Sequence, residues 1–525
     1  MLFNSYSFIL LYLPITFAIF FAVGARRPLY AAAWLAAASL FFYGWWNPVY
    51  VFLLLASIAF NYTIGRILAQ GQGGPDGKAS KAVLTFGIAA DLVLLGYYKY
   101  ANFFLDAAAS LAGGDAGLSL GDIVLPLGIS FFTFTQIAFL VDTYQGKVKE
   151  SNFVHYVLFV TYFPHLIAGP VLHHKEMMPQ FADTANYRPN PDRIALGLTF
   201  FAIGLFKKAV LADGIAPYAN ASFKAIADGQ TLTFLEAWGG SLAYTFQLYF
   251  DFSGYSDMAI GLSWLFGVRL PLNFDSPYKA VNIIDFWRRW HMTLSRFLRD
   301  YLYIALGGNR KGPVRRYANL LITMLLGGLW HGAGWTFVFW GALHGFYLVI
   351  NHGWHAVRSR LGFPPGDGSF LGRLTARAVT FLAAVVAWVF FRAEDLGDAL
   401  TMLSGMAGLS GISLPIGLAS HFGPLAGELA KYGIGFDLGG GTNFVLTYLW
   451  VIGLALVAFL LPNSQELLAR HDPSLASHAS SGPGTPARRL RGWTPTRTWA
   501  LVMGVMLAVG LLTLARVTEF LYFQF

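Results

Sequence analysis

The chain has no cysteine among its 525 residues. Disulfides, thiolate metal sites and cysteine nucleophiles are therefore excluded. Charge is scarce as well: 12% of residues carry one, against roughly 25% in an ordinary soluble domain. Apolar residues take its place, with 56% hydrophobic and 17% aromatic and a mean hydropathy of +0.53. The apolar runs are continuous rather than alternating, which indicates membrane-spanning helices and argues against a barrel. At about 20 residues per span, plus loops, the length accommodates roughly ten to thirteen helices. A net charge of +9 would suggest a nucleic-acid partner in a soluble protein. In a membrane protein the positive-inside bias of the loops accounts for it, and no nucleic acid is expected.

Several familiar chemistries are also missing. No phosphate-binding Walker loop, no His-Glu-x-x-His zinc motif and no Gly-x-Ser-x-Gly elbow occurs in a supporting context. His173 and His174 are adjacent but lack a carboxylate or cysteine pattern, so no metal is expected. The first residues, MLFNSYSFILLYLPITFAIFFAVGARRP, have neither a basic leader nor a small-residue cleavage site. They read as a retained first span.

Hydropathy over windows of about 19 residues places spans near 6–24, 30–46, 48–68, 82–104, 123–141, 194–216, 238–266, 317–330, 335–351, 376–391, 443–461 and 498–515. The loop charges alternate with them. Arg26, Arg27, Arg66, Lys78 and Lys81 mark the cytoplasmic side, whereas Asp106, Asp115 and Asp122 mark the outside. Between 161 and 174, TYFPHLIAGPVLHH carries Pro164, Gly169 and Pro170, which predicts a broken or re-entrant helix. The Pro/Ser-rich basic stretch 463–497, with Arg488, Arg489 and Arg491, reads as a flexible cytoplasmic linker. There is no sign of a repeat or of a separate soluble domain, so one integral-membrane domain is expected over 1–525, with its core at 120–392.

Three stretches break the apolar pattern. The first is LLITMLLGGLWHGAGWTFVFWGALHG (320–345), where His331 lies beside Trp330 among small residues. An ionisable side chain in such a run marks a functional site by default, with a polar clip between helices as the simpler reading. The second is LYFDFSGYSDMAIG (248–261), in which Asp251, Tyr255, Ser256 and Asp257 cannot face lipid. They either brace helices or line a cavity. The third is FWRRWHMTLSRFLRDYLYIALGGNRKGPVRR (286–316), with His291, Arg288, Arg289, Arg310 and Lys311 interleaved with aromatics. It reads as an amphipathic helix at the cytoplasmic interface, against membrane lipid. Its cations are candidates for holding the phosphates of an anionic substrate. Burial keeps an imidazole neutral and able to take a proton from a hydroxyl. His331 and His291 are therefore the candidate catalytic pair for acyl transfer to an alcohol.

The segments WRRWHMTLSRFLRDYLYIALGGNR, LLGGLWHGAGWTFVFWGALHG, QLYFDFSGYSDMAIG and YFPHLIAGPV resemble those of the membrane-bound O-acyltransferase (MBOAT) superfamily. Within it, they resemble the bacterial alginate and exopolysaccharide O-acetyltransferase branch. The likeness runs from YLPI near the start, through YYKYANFF and VLPLGISFFTFTQ, to the closing FLYFQF. It fades at 405–442 and 463–497. It implies an all-α polytopic fold of about 11–13 transmembrane helices, with re-entrant and interfacial helices around a central tunnel. The family's key histidine falls on His331 and its second position on His291. The resemblance further implies acetyl-CoA as the donor substrate, with no bound cofactor. Acetyl would cross the bacterial inner membrane to a periplasmic acetyltransferase partner and end on an exopolysaccharide such as alginate. Two alternatives remain open: a transporter or flippase of an acylated or sugar substrate, which would also show intramembrane His and Asp, and D-alanyl transfer to a cell-wall polymer.

Overall fold

The computed structural model describes residues 1–72, 80–112, 120–148, 152–167, 169–362, 369–439, 441–472, 474–475, 492–514 and 520–521. Lys78, Asp115, Arg488, Arg489, Arg491 and the linker's central part, 476–491, lie outside the described residues. Among the described residues, six helices are long and apolar enough to cross a membrane: Ser7–Gly24, Val49–Gly71, Lys81–Leu111, Pro191–Ala227, Phe370–Arg392 and Gly441–Leu460. The apolar helices Pro28–Gly44 and Arg497–Thr513 are shorter. The protein is thus an all-α, multi-pass membrane protein. The only described strands are Ile412–Pro415 and Ile434–Leu438, a parallel pair in the loop expected to lie outside.

By chain contacts the molecule divides into two compact units. One comprises 1–206, 254–273 and 464–524; the other comprises 207–253 and 274–463.

In the first unit, polar side chains on neighbouring helices satisfy one another, as a low-dielectric interior demands. Asn61 donates to Asp91 at 2.8 Å, and Gln136 donates to the Ser57 hydroxyl at 2.8 Å. The expected break near 164 is present. Helix Phe153–Thr161 stops at Tyr162, a four-residue turn Phe163–Leu166 follows, and an extended stretch leads into His174–Ala182. Pro126 and Gly128 delay the span expected at 123–141, so that the helix runs Ile129–Tyr144. Gly128 has φ +70° and sits where a Cβ would be 2.8 Å from Leu166 O. Farther along, Gly204 lets two helices touch backbone to backbone, for a Cβ there would lie 2.6 Å from Gly254 O. Around the linker's described ends, Trp493 is buried and its backbone N–H donates to Leu467 O.

The second unit is built on the helix pair Gly312–His331 and Trp335–Arg360. Glycines set their spacing. A Cβ on Gly328 would run into Phe337 O, and one on Gly341 into Met324 O. Small residues at such crossings let helix backbones approach closely where lipid supplies no hydrophobic drive. The turn Gly332–Gly334 closes the hairpin, with Gly334 N–H donating to Gly332 O. His331 is the last residue of the first helix.

The basic–aromatic stretch is not the single amphipathic helix its pattern suggests. It runs as Ile283–Arg289, a break, Met292–Phe297, and the π-helical turn Leu298–Tyr303. The break falls on Trp290 and His291, and His291 has a left-handed backbone, φ +42° and ψ +53°. Both residues are buried, at 2% and 0% exposure. Burial of this pair takes precedence over helical continuity, because the rings of Phe252, Phe274 and Trp388 pack around it. After the π-turn, Gly307 and Gly308, both with positive φ, turn the chain into the next helix.

Candidate active site

The second unit brings the two candidate histidines together. His331, at the hairpin tip, is 4% exposed. Its ring centroid is 6.4 Å from that of His291, which the broken segment carries inward. Aromatic walls hold the pair. Trp330 lies 5.0 Å from His331 and 6.2 Å from His291, and Phe252 lies 4.8 Å from His291. Trp340 and Phe391 stand at 5.1 and 5.2 Å from His331. Rings fix the imidazoles by packing and exclude water from them, the setting in which a neutral imidazole serves as a general base.

The other candidates are placed apart from this pair or in networks of their own. Arg289 bonds Asp285 at 2.9 Å and reaches the Asp275 carbonyl at 3.2 Å, which straps the helix ahead of the break. Arg288 is exposed, as are Arg310 and Lys311 in the turn after Gly308. Three cations are therefore open to an anionic ligand, while the fourth is committed to bracing.

The polar cluster of 251–257 separates on its helix, Phe234–Leu265: Asp251 lies one turn before Tyr255, and Tyr255, Ser256 and Asp257 point about 100° apart in succession. Asp251 belongs to the second unit, where it meets the Lys208 ammonium at 2.7 Å, with Asp213 at 2.8 Å from the same nitrogen. Tyr255, Ser256 and Asp257 belong to the first unit. There Tyr255 stacks with Phe3 and meets Phe520 edge-on. Ser256 accepts from Asn273 at 3.3 Å, and Asp257 accepts from the Ser464 hydroxyl at 2.9 Å. These contacts fit bracing. As for His174, its Nδ1 lies 3.8 Å from Asp142 in the first unit.

Sequence reasoning passed over His344 and Trp340, which share one face of the helix Trp335–Arg360 one turn apart. His344 is fully buried, its ring 4.8 Å from that of Trp340, and its Nδ1 accepts the indole N–H of Trp287 at 3.3 Å. The signal that marked His331 was present here too: an ionisable residue inside an apolar run.

Comparison with known proteins follows the same residues. A family model described as MBOAT, the membrane-bound O-acyltransferase family, matches residues 140–365, which include both histidines of the pair. A peptidoglycan O-acetyltransferase of Helicobacter pylori is 46% identical over 441 residues, covering 79% of this chain and 81% of the relative. A probable alginate O-acetylase AlgI of Azotobacter vinelandii is 43% identical, covering 77% and 78%. A teichoic acid D-alanyltransferase of Streptococcus thermophilus is 29% identical, covering 50% and 68%.

Proposed function

The chain belongs to the membrane-bound O-acyltransferase family, and from that premise we propose that it moves acetyl groups from cytoplasmic acetyl-CoA to hydroxyls of a cell-envelope glycan. The observation that carries the reading is the His291–His331 pair, ring-walled and buried within the matched segment. That the enzyme is an acyltransferase follows from the family. The acetyl group and the glycan acceptor are supported by relatives at 43–46% identity whose names state O-acetylation of peptidoglycan or alginate. The D-alanyl reading rests on a relative at 29% identity over half the chain and ranks below it.

In this proposal His331 acts as general base toward the attacking hydroxyl, or carries the acetyl transiently. His291 stands beside it to orient the reacting group. Arg288, Arg310 and Lys311, all exposed, attract the phosphates of coenzyme A as the donor enters from the cytoplasm. The protein sits in the bacterial inner membrane and delivers acetyl to a periplasmic acetyltransferase partner, which finishes the transfer to an exopolysaccharide or cell-wall glycan. A flippase would need no base walled off from water, and the walled imidazole favours chemistry over transport.

The test is coenzyme A release by purified protein given acetyl-CoA, with and without a periplasmic partner, in wild type and His331→Ala. Release by the wild type alone supports the reading. Release that persists undiminished in a folded His331→Ala protein refutes the catalytic assignment.

A further inference from the structure

Two nitrogen donors beside the histidine pair have no acceptor among the described residues. The indole Nε1–H of Trp340 finds none among the described residues, although the side chain is 1% exposed. His344 presents the second. Its Nδ1 accepts from Trp287, so a neutral imidazole must carry its hydrogen on Nε2. That Nε2 also lacks a partner, in a side chain with no exposure at all. Leaving a buried donor unsatisfied costs about 1–3 kcal/mol, and native structures hold few such groups. Here two occur one helical turn apart on one face, with ring centroids 4.8 Å apart. Trp340 itself packs 5.1 Å from the His331 ring.

We propose that Trp340 Nε1 and His344 Nε2 are the oxyanion donors of the acyl transfer, receiving the carbonyl oxygen of the thioester. This rests on the acyl-transfer reading above and adds two catalytic residues to it. His331 takes the proton from the attacking hydroxyl, and the hydroxyl oxygen bonds to the thioester carbon. The C=O electron pair moves onto the carbonyl oxygen, and the two N–H groups stabilise the charge that develops there. Collapse returns that pair, breaks the C–S bond, and the leaving sulfur takes the proton from His331. The products are an ester and a thiol, and no other reactant is needed. Fixed donors in a dry site need no reorganisation as charge develops, which is why such groups act mainly on the transition state.

Trp287 has a supporting part, as a positioning residue. Its N–H occupies His344 Nδ1 and so fixes the tautomer that leaves a donor at Nε2. Ring packing holds the same orientation, with Phe286 lying parallel to His344 at 6.0 Å and an interplanar angle of 8°.

The experiment compares acetyl-CoA turnover, with the periplasmic partner present as acceptor, of the full-length protein with Trp340→Phe, His344→Phe and His344→Gln, each checked for monodispersity and melting temperature. Trp340→Phe and His344→Phe keep a ring and lose a donor. They are expected to lower kcat by about 10²-fold while KM for acetyl-CoA stays within a few-fold. His344→Gln retains an N–H donor and should keep more kcat than His344→Phe. The proposal fails if a folded donorless variant turns over at the wild-type rate. It fails too if the loss lies in KM alone. The two ring variants are independent, so one that does not fold leaves the other to decide. A wild type silent toward acetyl-CoA would overturn the function proposed above, and this inference with it. An active wild type with active donorless variants would overturn this inference alone.

Discussion

Lys208 and Asp251 form an ion pair at 2.7 Å with both side chains at 3% exposure or less, and Asp213 meets the same ammonium at 2.8 Å. A lysine so deeply placed is tolerable only because two carboxylates surround it.

Removing the cation strands them. Lys208→Met is expected to destabilise the protein by about 3–5 kcal/mol, the range for breaking a buried pair from one side. Thermal melting in detergent reads this directly. Asp251→Asn should do less harm, because Asp213 still neutralises the ammonium. Equal melting of Lys208→Met and wild type would show the cluster to be dispensable.

The left-handed backbone of His291 separates its conformational from its chemical part. Asn tolerates that conformation, whereas β-branched residues do not. His291→Asn should melt near the wild type, with its activity change reporting the imidazole alone. His291→Val should add about 1–3 kcal/mol of backbone strain. If the two variants melt alike, the strain at this position is negligible.

The hairpin crossing predicts intolerance of even small side chains. Gly341→Val places methyl groups against Met324 O, and overpacking of this kind costs about 1–3 kcal/mol or more. Since the same two helices carry His331, Trp340 and His344, turnover should fall with the melting temperature. A Gly353→Val control, at a position where a Cβ would meet nothing within 4 Å, should leave both unchanged.

The exposed cations of the turn before Gly312 predict a salt-sensitive donor affinity. Arg310→Ala with Lys311→Ala should raise KM for acetyl-CoA several-fold with kcat unchanged, because the attraction is lost equally from the ground state and the transition state. The difference from wild type should shrink as ionic strength rises and screening shortens. A kcat effect that ignores salt would assign these residues a different role.

The helical framework was legible because hydropathy reports burial in lipid directly. The expected spans 30–46 and 443–461 lie within a few residues of the observed Pro28–Gly44 and Gly441–Leu460, and the span expected at 335–351 starts where Trp335–Arg360 starts but stops nine residues short of its end. His331 was legible for the same reason, as an ionisable group within an apolar run. Lys208 was not, because beside Lys207 it reads as a basic flank rather than as a buried partner for Asp251. The bend at His291 has no local signal, since histidine is not a turn former and its backbone is set by the rings packed around it. Asp251, Tyr255, Ser256 and Asp257 read as one lining when written in a row. On the folded helix they meet different neighbours: Lys208, Phe3, Asn273 and Ser464 in turn.

The hairpin ends on a histidine whose companion arrives from a different segment, on a kinked backbone that no helix would hold by itself. Neither half of the pair is meaningful without the other, so the site comes into being only when these pieces dock. Catalytic turnover is therefore a late reporter of assembly. Chains that have inserted every span but not yet seated the kinked segment should look fully helical and remain chemically silent. Folding intermediates of this protein would then be distinguishable by what they fail to do before any change in their helix content could be detected.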